Sequence, residues 1–222
     1  MKQALFTGLF VYMGIVAGTF AQCGLGKIAN TAGEAAMVVK GLSHETVANL
    51  QAAYHGESNA TERYRLFATQ AEKEGYKTAA RAFNAAATAE EIHAKEFARI
   101  LTCAGVTPKM EIEKVTIAST LENLKGALDG ETKEADEIYP RFMSVATSKG
   151  DVEVATLFRR TIMAEATHTR IFSFGVLSLE NWGKGDLTFH VCPLCGYTID
   201  SKNNLTRCPA CKEDRAKFIA FR

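Results

Sequence analysis

The sequence predicts a mainly α-helical protein: a four-helix bundle followed by a small C-terminal metal domain held by four cysteines. Two repeated patterns predict the bundle. The Glu-x-x-His motif Glu90–His93 returns as Glu165–His168, and a Gly-Glu pair precedes each copy, at Gly56–Glu57 and at Gly130–Glu131. One further observation predicts the metal domain, since four of the six cysteines fall in the last 31 residues as two Cys-x-x-Cys motifs.

The spacing of the repeated motifs indicates how the carboxylates are arranged. Residues three apart share a helix face, so a Glu-x-x-His turn presents a carboxylate and an imidazole to one metal ion. Glu57 precedes Glu90 by 33 residues and Glu131 precedes Glu165 by 34, the length of half a helix, a turn and half another helix. Each half therefore reads as a helical hairpin with one inward carboxylate per helix.

A Glu from two helices and a Glu-x-x-His from the other two is the di-iron arrangement of ferritin-like bundles. A single motif of this kind is more often a solvated helix face, but its duplication in matching surroundings favours a metal site. Oxygen and imidazole ligands suit iron or manganese better than structural zinc, which favours thiolates. The candidate ligands, in chain order, are Glu57, Glu90, His93, Glu131, Glu134, Glu165 and His168.

The amino terminus is apolar. Residues 3–26 carry no charge, and residues 5–20 are strongly apolar behind Lys2. This is the outline of a secretory signal, and the stretch is also just long enough to span a membrane once. The alternative is an extra apolar helix packed on the bundle or between subunits of a cytoplasmic protein. We favour export or membrane anchoring, and we assign residues 1–41 to this segment and a linker.

The bundle is assigned to residues 42–182. Ser43 is an N-cap for a first helix that runs to about Glu74 and ends at Gly75. The second helix ends near Gly105. Residues 106–117 contain a proline and read as the long connection that a ferritin-type bundle needs between its halves.

The second hairpin begins at Ser119, which forms a capping-box pattern with Glu122. Gly150 separates the third helix from the fourth, which fades around Glu180.

The two halves differ by one residue. Glu57 and Tyr64 are seven residues apart, whereas Glu131 and Tyr139 are eight apart. A one-residue insertion in a helix is commonly absorbed as a π-bulge, often at a functional site, and this one falls beside Glu134. Both tyrosines are candidate hydrogen-bond partners of the ligand carboxylates. The alternative is that they are buried aromatic residues of the core and have no role at the metal site.

The tail, residues 186–222, follows a predicted hinge at residues 181–185. Its two Cys-x-x-Cys motifs, separated by 12 residues, indicate one tetrahedral metal site. Four thiolates bind iron or zinc, so a structural zinc ribbon is the alternative for this domain taken alone. The ligands are Cys192, Cys195, Cys208 and Cys211.

The overall composition excludes one class of partner. The chain is 47% hydrophobic and 23% charged, which is ordinary for a soluble globular protein. The net charge of +1, without a basic run, argues against nucleic-acid binding.

Taken together, the two modules resemble the rubrerythrins, in which a ferritin-like di-iron domain precedes a rubredoxin-like domain. The resemblance covers about residues 42–222 and is carried by the motifs above with Tyr139-Pro140. It implies that Glu90 and Glu165 bridge two irons, that Glu57 and Glu131 are terminal ligands, and that His168 binds the second iron. It also implies that Glu134 and His93 take turns on the first iron, and that the four cysteines hold one further iron. Lys212 departs from the pattern, because rubredoxins typically have glycine after the last cysteine.

The same resemblance implies an oxidoreductase that reduces hydrogen peroxide to water, with electrons relayed through the four-cysteine iron. The expected donor is a pyridine-nucleotide-dependent reductase or another small electron carrier. A homodimer is expected because the two domains of this family meet across a dimer. The alternatives are a ferroxidase or iron-handling protein, and a non-catalytic metal-bound scaffold with a zinc ribbon.

Overall fold

The computed structural model describes residues 41–182 and 187–222. Its first part is a bundle of four long helices, of which the third is interrupted by a π-helical segment, and its second part is a small sheet domain. This confirms the predicted fold class. The helices are α1 (His44–Lys73), α2 (Lys77–Cys103), α3 (Thr120–Lys133), the π segment (Glu134–Ile138), α4 (Tyr139–Lys149) and α5 (Val152–Trp182).

The helix ends follow the predicted capping signals. The Ser43 side chain accepts a hydrogen bond from the backbone N–H of Thr46 (3.1 Å), and Ser119 forms a complete capping box with Glu122. After α1, Gly75 adopts a positive φ of 85°, a conformation that only glycine adopts without strain. Local sequence therefore decides where these helices begin and end.

The predicted long connection, residues 106–117, contains neither helix nor strand and is fastened to α1. Asn59 donates to the carbonyl of Glu111 (3.0 Å) and accepts from the N–H of Glu113 (2.8 Å). Gln51 accepts from the N–H of Lys109 (3.1 Å). These contacts satisfy backbone groups that would otherwise have no partner in a segment without secondary structure.

Two aromatic clusters form much of the bundle core. In the first, the ring of Tyr64 lies 5.4 Å from that of Phe172, with Phe67 and Phe83 packed beside them. The second is built in the same way around Tyr139, whose ring lies 5.7 Å from that of Phe158. Each half of the sequence thus supplies one buried tyrosine to its own cluster.

The tail contains three strands, β1 (Phe189–Val191), β2 (Thr198–Asp200) and β3 (Ile219–Phe221). They form an antiparallel sheet in the order β2-β1-β3. One prediction about its connection was wrong: Asn181 and Trp182 belong to α5 rather than to a hinge. The Trp182 indole is buried against Phe174 and Phe189. This packing stabilises the last turn of α5 as far as Trp182.

The predicted apolar segment and linker at residues 1–41 lie, apart from Gly41, outside the described residues. Among the helices that the structure does describe, none has the length and apolar character needed to cross a membrane.

Candidate metal centre

The bundle interior brings together six of the seven predicted bundle ligands. Each long helix contributes at least one, and every one of the six is at most 2% exposed. They form two overlapping groups whose ligand atoms lie within 4.8 Å of one another, and Glu90 and Glu165 belong to both. The first group is Glu57, Glu90, His93 and Glu165, and the second is Glu90, Glu131, Glu165 and His168.

The two histidines occupy equivalent positions at the two ends of this cluster. His93 Nδ1 lies 2.9 Å from Glu90 and 3.0 Å from Glu165. His168 Nδ1 lies 2.8 Å from Glu165 and 3.2 Å from Glu131. In both rings, therefore, Nδ1 faces the carboxylates.

The Nε2 atoms of both rings face the four-cysteine domain of the same chain. His93 Nε2 lies 3.1 Å from the carbonyl oxygen of Cys195, and His168 Nε2 lies 3.0 Å from the hydroxyl of Thr198. A carbonyl oxygen only accepts hydrogen bonds, so His93 donates through Nε2–H. In the neutral imidazole the Nδ1 lone pair then faces the carboxylate cluster, where a metal ion would bind.

Each buried tyrosine donates a hydrogen bond to a carboxylate from the other half of the sequence. The Tyr64 hydroxyl donates to Glu131, and the Tyr139 hydroxyl donates to Glu57. Burial, followed by the nearby carboxylate charges, raises the pKa of both tyrosines well above the usual value, so they keep their protons. Each tyrosine therefore has both of the roles considered from the sequence: its ring packs in the core, and its hydroxyl is a hydrogen-bond partner of a ligand carboxylate.

Glu134 lies outside both ligand groups, at the start of the π segment. Its side chain is half-buried, and one carboxylate oxygen lies 4.0 Å from where a Cβ on Gly56 would be. Burial and the charge of Glu57 raise the pKa of Glu134 well above its ordinary value. The π segment confirms the bulge that the one-residue mismatch predicts at this point.

The electrostatics of the cluster indicate that cations belong in it. Burial, together with the charges of Glu165 and Glu90, raises the pKa of Glu57 to about 8. Burial opposes protonation of His93 and His168, yet the carboxylates outweigh it and raise the pKa of both imidazoles.

The residues present fit a pair of metal ions. When all four fully buried carboxylates are ionised they carry four negative charges, and even two protonated imidazoles balance only half of them. Buried charges of one sign are costly unless they are neutralised. Glu57 Oε2 moreover has no hydrogen-bond partner in the described part of the chain. Two divalent cations would balance the carboxylates and coordinate that free oxygen.

The tail cysteines form a second candidate site. Their sulfurs lie within 4.8 Å of one another, with Cys192 and Cys211 3.4 Å apart and Cys195 and Cys208 3.5 Å apart. Three of the four are buried and Cys211 is partly exposed. Converging thiolates at these separations suit one tetrahedral metal ion.

Sequence reasoning missed the residues of the tail that contact the bundle histidines. These are the Cys195 carbonyl, Thr198 and Gly196, where an added Cβ would lie 2.4 Å from His93 Nε2. No motif or periodicity marks them, because the contact joins residues 102 positions apart for His93 and 30 apart for His168. The glycine that directly follows the first Cys-x-x-Cys motif is the one available signal.

The fold and the two sites together define a ferritin-like bundle with a di-metal carboxylate site, joined to a four-thiolate metal domain. Comparison with known proteins identifies the family. The rubrerythrin family model matches residues 48–174, and the model for the rubredoxin-like domain of rubrerythrin matches residues 190–219. The chain belongs to the rubrerythrin family. Its carboxylate–histidine cluster is accordingly a di-iron site, and its four cysteines form the site of a rubredoxin-like iron.

Individual relatives agree with this assignment. The chain is 36% identical over 177 residues to rubrerythrin of Porphyromonas gingivalis, covering 78% of this chain and 88% of that protein. It is 33% identical over 180 residues to nigerythrin of Nitratidesulfovibrio vulgaris, covering 79% and 86%. Among solved structures, partially reduced nigerythrin superposes with a TM-score of 0.73 at 30% identity, covering 82% of this chain and 89% of the other.

Proposed function

We propose that this protein is a peroxidase that reduces hydrogen peroxide to water at the di-iron site, using electrons relayed through the four-cysteine iron. The observation that carries the proposal is the contact between the two sites. The carbonyl oxygen of Cys195, one of the four cysteines, lies 3.1 Å from Nε2 of His93 in the ligand cluster. A ferroxidase would use the same carboxylates but has no need of an electron relay in the same chain.

The ligand roles follow from which group each residue joins. Glu90 and Glu165 belong to both groups, which supports a bridging role for them. Glu57 and His93 serve one end of the cluster, and Glu131 and His168 serve the other. When bound there, two ferrous ions supply two electrons to one O–O bond without releasing a radical.

Glu134 and His93 serve as alternative ligands of one metal ion, the one at the end of the cluster that His93 and Glu57 serve. His93 lies within the cluster, while Glu134 lies half-buried just outside it. A carboxylate is the better ligand while the site carries more positive charge, and a neutral imidazole suffices after reduction. The exchange lets the site change charge without moving the four helices.

The tyrosines and the tail then have separate tasks. Tyr64 and Tyr139 hold the carboxylates of Glu131 and Glu57 in fixed orientations. Four thiolates leave no open coordination position, so the tail site passes electrons and binds no substrate. Its partner would be a pyridine-nucleotide-dependent reductase or another small electron carrier.

Replacement of Cys192 by serine tests the relay. We expect steady-state peroxide reduction with an external reductant to be lost, because the tail site no longer holds its iron. The same variant, chemically reduced beforehand, should still consume peroxide in a single turnover, which serves as the internal control. Steady-state turnover at the wild-type rate would show that electrons enter by another route.

The visible spectrum and metal content of protein from its native host separate this proposal from the scaffold alternative. Iron bound by four thiolates gives a red protein through charge transfer from sulfur. A colourless protein with zinc at the cysteines would remove the relay from the proposed function.

The assembly and location of the protein are further parts of the proposal. On α5, Phe174 is 54% exposed and Leu177 is 82% exposed, which supports association with a second copy into a homodimer. The molar mass from light scattering tests this.

We also propose that residues 1–41 direct export or membrane attachment. A fusion to a reporter active only outside the cytoplasm tests it, and reporter retained inside would favour the extra-helix alternative.

A further inference from the structure

Thr198, on β2 of the four-cysteine domain, contacts a ligand of the bundle site through its side chain. Its hydroxyl oxygen lies 3.0 Å from Nε2 of His168 and 2.8 Å from the carbonyl oxygen of Gly196. A hydroxyl has one hydrogen, and the carbonyl can only accept, so that hydrogen is committed to Gly196. Toward His168, Thr198 therefore acts as an acceptor, and Nε2 of the imidazole carries a hydrogen.

This contact selects one form of the imidazole. A neutral histidine with its hydrogen on Nε2 has its lone pair on Nδ1. In His168 that nitrogen faces the carboxylates of Glu165 and Glu131, at 2.8 and 3.2 Å. Thr198 thus holds the ring in the tautomer and the orientation in which it binds a metal ion within the cluster.

A second threonine fixes the position of Thr198 against the bundle. The backbone N–H of Thr198 donates to the hydroxyl of Thr167 (3.2 Å), which in turn donates to the carbonyl of Ala164 (2.7 Å). Thr198 is 1% exposed, so these bonds are shielded from water. The two threonines form a continuous hydrogen-bonded connection from α5, beside His168, to β2 of the tail.

The two histidines differ in this respect. His93 is held by the main-chain carbonyl of Cys195, so its hydrogen-bond partner is not a side-chain group that a substitution could delete. His168 is held by a side-chain hydroxyl, which one substitution removes without changing the volume. Only the His168 contact can therefore be removed while the rest of the interface stays in place.

We propose that Thr198 is a positioning residue for His168, whose hydroxyl makes metal retention at the His168 end of the cluster depend on docking of the four-cysteine domain. The inference rests on the proposed di-iron site and deepens it by naming a residue outside the ligand set. It predicts that the two metal positions respond unequally to changes in the tail. The position served by His93 should be insensitive to the side chain at 198.

Anaerobic titration of the full chain with Fe²⁺ against a competing chelator tests this, with the bundle site stripped of metal and the tail iron retained. We expect Thr198→Val to weaken binding of one of the two bundle ions by about 10 to 100-fold, the usual effect of removing such a hydrogen bond. Thr198→Ser, which restores the hydroxyl, should bind both ions as the wild type does. The absorption of the tail iron should be the same in all variants.

Thr167→Val is the matched control for docking, because it removes the hydrogen bond from the Thr198 N–H to α5 but keeps the Thr198 hydroxyl that contacts His168. We expect it to cause a smaller loss of Fe²⁺ affinity than Thr198→Val. Equal loss in these two variants, failure of Thr198→Ser to restore binding, or wild-type binding by Thr198→Val would each overturn the inference. A wild-type chain that binds fewer than two Fe²⁺ ions in the bundle would instead overturn the proposed function, and this inference with it.

Discussion

Gly196 and Lys212 occupy the same place in the two cysteine turns, one residue after the second cysteine of each motif. Both have a φ of 70°, and their N–H groups donate to the carbonyls of Cys192 (3.0 Å) and Cys208 (2.9 Å). The turns differ in their surroundings. A Cβ at 196 would lie 2.4 Å from His93, whereas the side chain of Lys212 is exposed. Docking on the bundle therefore requires glycine in the first turn only.

The strain at Lys212 gives a prediction for stability. A side chain in the left-handed region costs about 1 to 2 kcal/mol, part of which glycine gives back as greater freedom of the unfolded chain. Lys212→Gly should therefore stabilise the tail by about 0.5 to 1 kcal/mol, measured by denaturant unfolding followed at the tail-iron absorption. Lys212→Ala is the control, since it removes the side chain but keeps the strain. A gain as large in the alanine variant would mean that the lysine side chain itself destabilises the turn.

The sequence also shows, residue by residue, what could be predicted and what could not. Glu90 and Glu165 were found because their spacing to a histidine is fixed by the helix and repeated in both halves. Thr198 and Gly196 were missed because their importance comes from packing between two modules. Such packing depends on the matching of two surfaces and leaves no periodic pattern in the sequence.

At the scale of elements, the π segment Glu134–Ile138 separates two helices that together act as the third helix of the bundle. In an α-helix, residues seven apart lie almost on one face, as Glu57 and Tyr64 do, whereas residues eight apart do not. The wider π turn absorbs the extra residue, so that Tyr139 still reaches the ligand Glu57. Counting residues in the two halves was enough to predict this element, because the extra residue lies between Glu131 and Tyr139, which match Glu57 and Tyr64 in the first half.

Deletion of one exposed residue, Asp136, tests what the π segment contributes. The deletion restores the seven-residue spacing of the first half and should convert the segment to regular α-helix. We expect the bundle and both irons to be retained, because the inward faces stay aligned. Glu134 would be held in a regular helical turn, which we expect to slow peroxide turnover about 10-fold. Helix content by circular dichroism and steady-state rates measure the two effects.

Asp136→Ala, which leaves the length of the chain unchanged, is the control for the loss of the carboxylate. Wild-type turnover by the deletion variant, with the segment shown to be α-helical, would mean that the π turn has no part in the function of Glu134.

At the scale of the whole molecule, the bundle and the tail could each be predicted, but their contact could not. Hydrophobic periodicity, caps and cysteine spacing act locally, so they define each module separately. The family resemblance predicts that the two sites meet across a dimer. The structure forms a contact between them within one chain, from Cys195 to His93. The homodimer remains a prediction that has to be tested on its own.

The buried carboxylates also make the stability of the whole protein depend on pH and on metal. In the metal-free fold the pKa of Glu57 is raised to about 8, mainly by burial, and the neighbouring carboxylates raise the pKa of His93 and His168 against the effect of burial. Groups with raised pKa hold their protons in the folded state and release them on unfolding. The folded state thus binds more protons than the unfolded state, so stability is lost as pH rises. Glu165, whose pKa is lowered despite its burial, contributes only at acid pH, below its ordinary value.

We therefore predict that the metal-free bundle becomes less stable between pH 5 and pH 8, by about 1.4 kcal/mol per pH unit for each proton that the fold retains. The iron-loaded bundle should not show this fall, because its carboxylates are already ionised and its imidazoles neutral. Thermal unfolding of both forms across this range measures the difference, which should widen as the pH rises. Glu57→Gln, which cannot ionise, should flatten the slope of the metal-free form. A metal-free melting temperature that stays level or rises toward pH 8 would mean that the four carboxylates are not held together as closely as the structure places them.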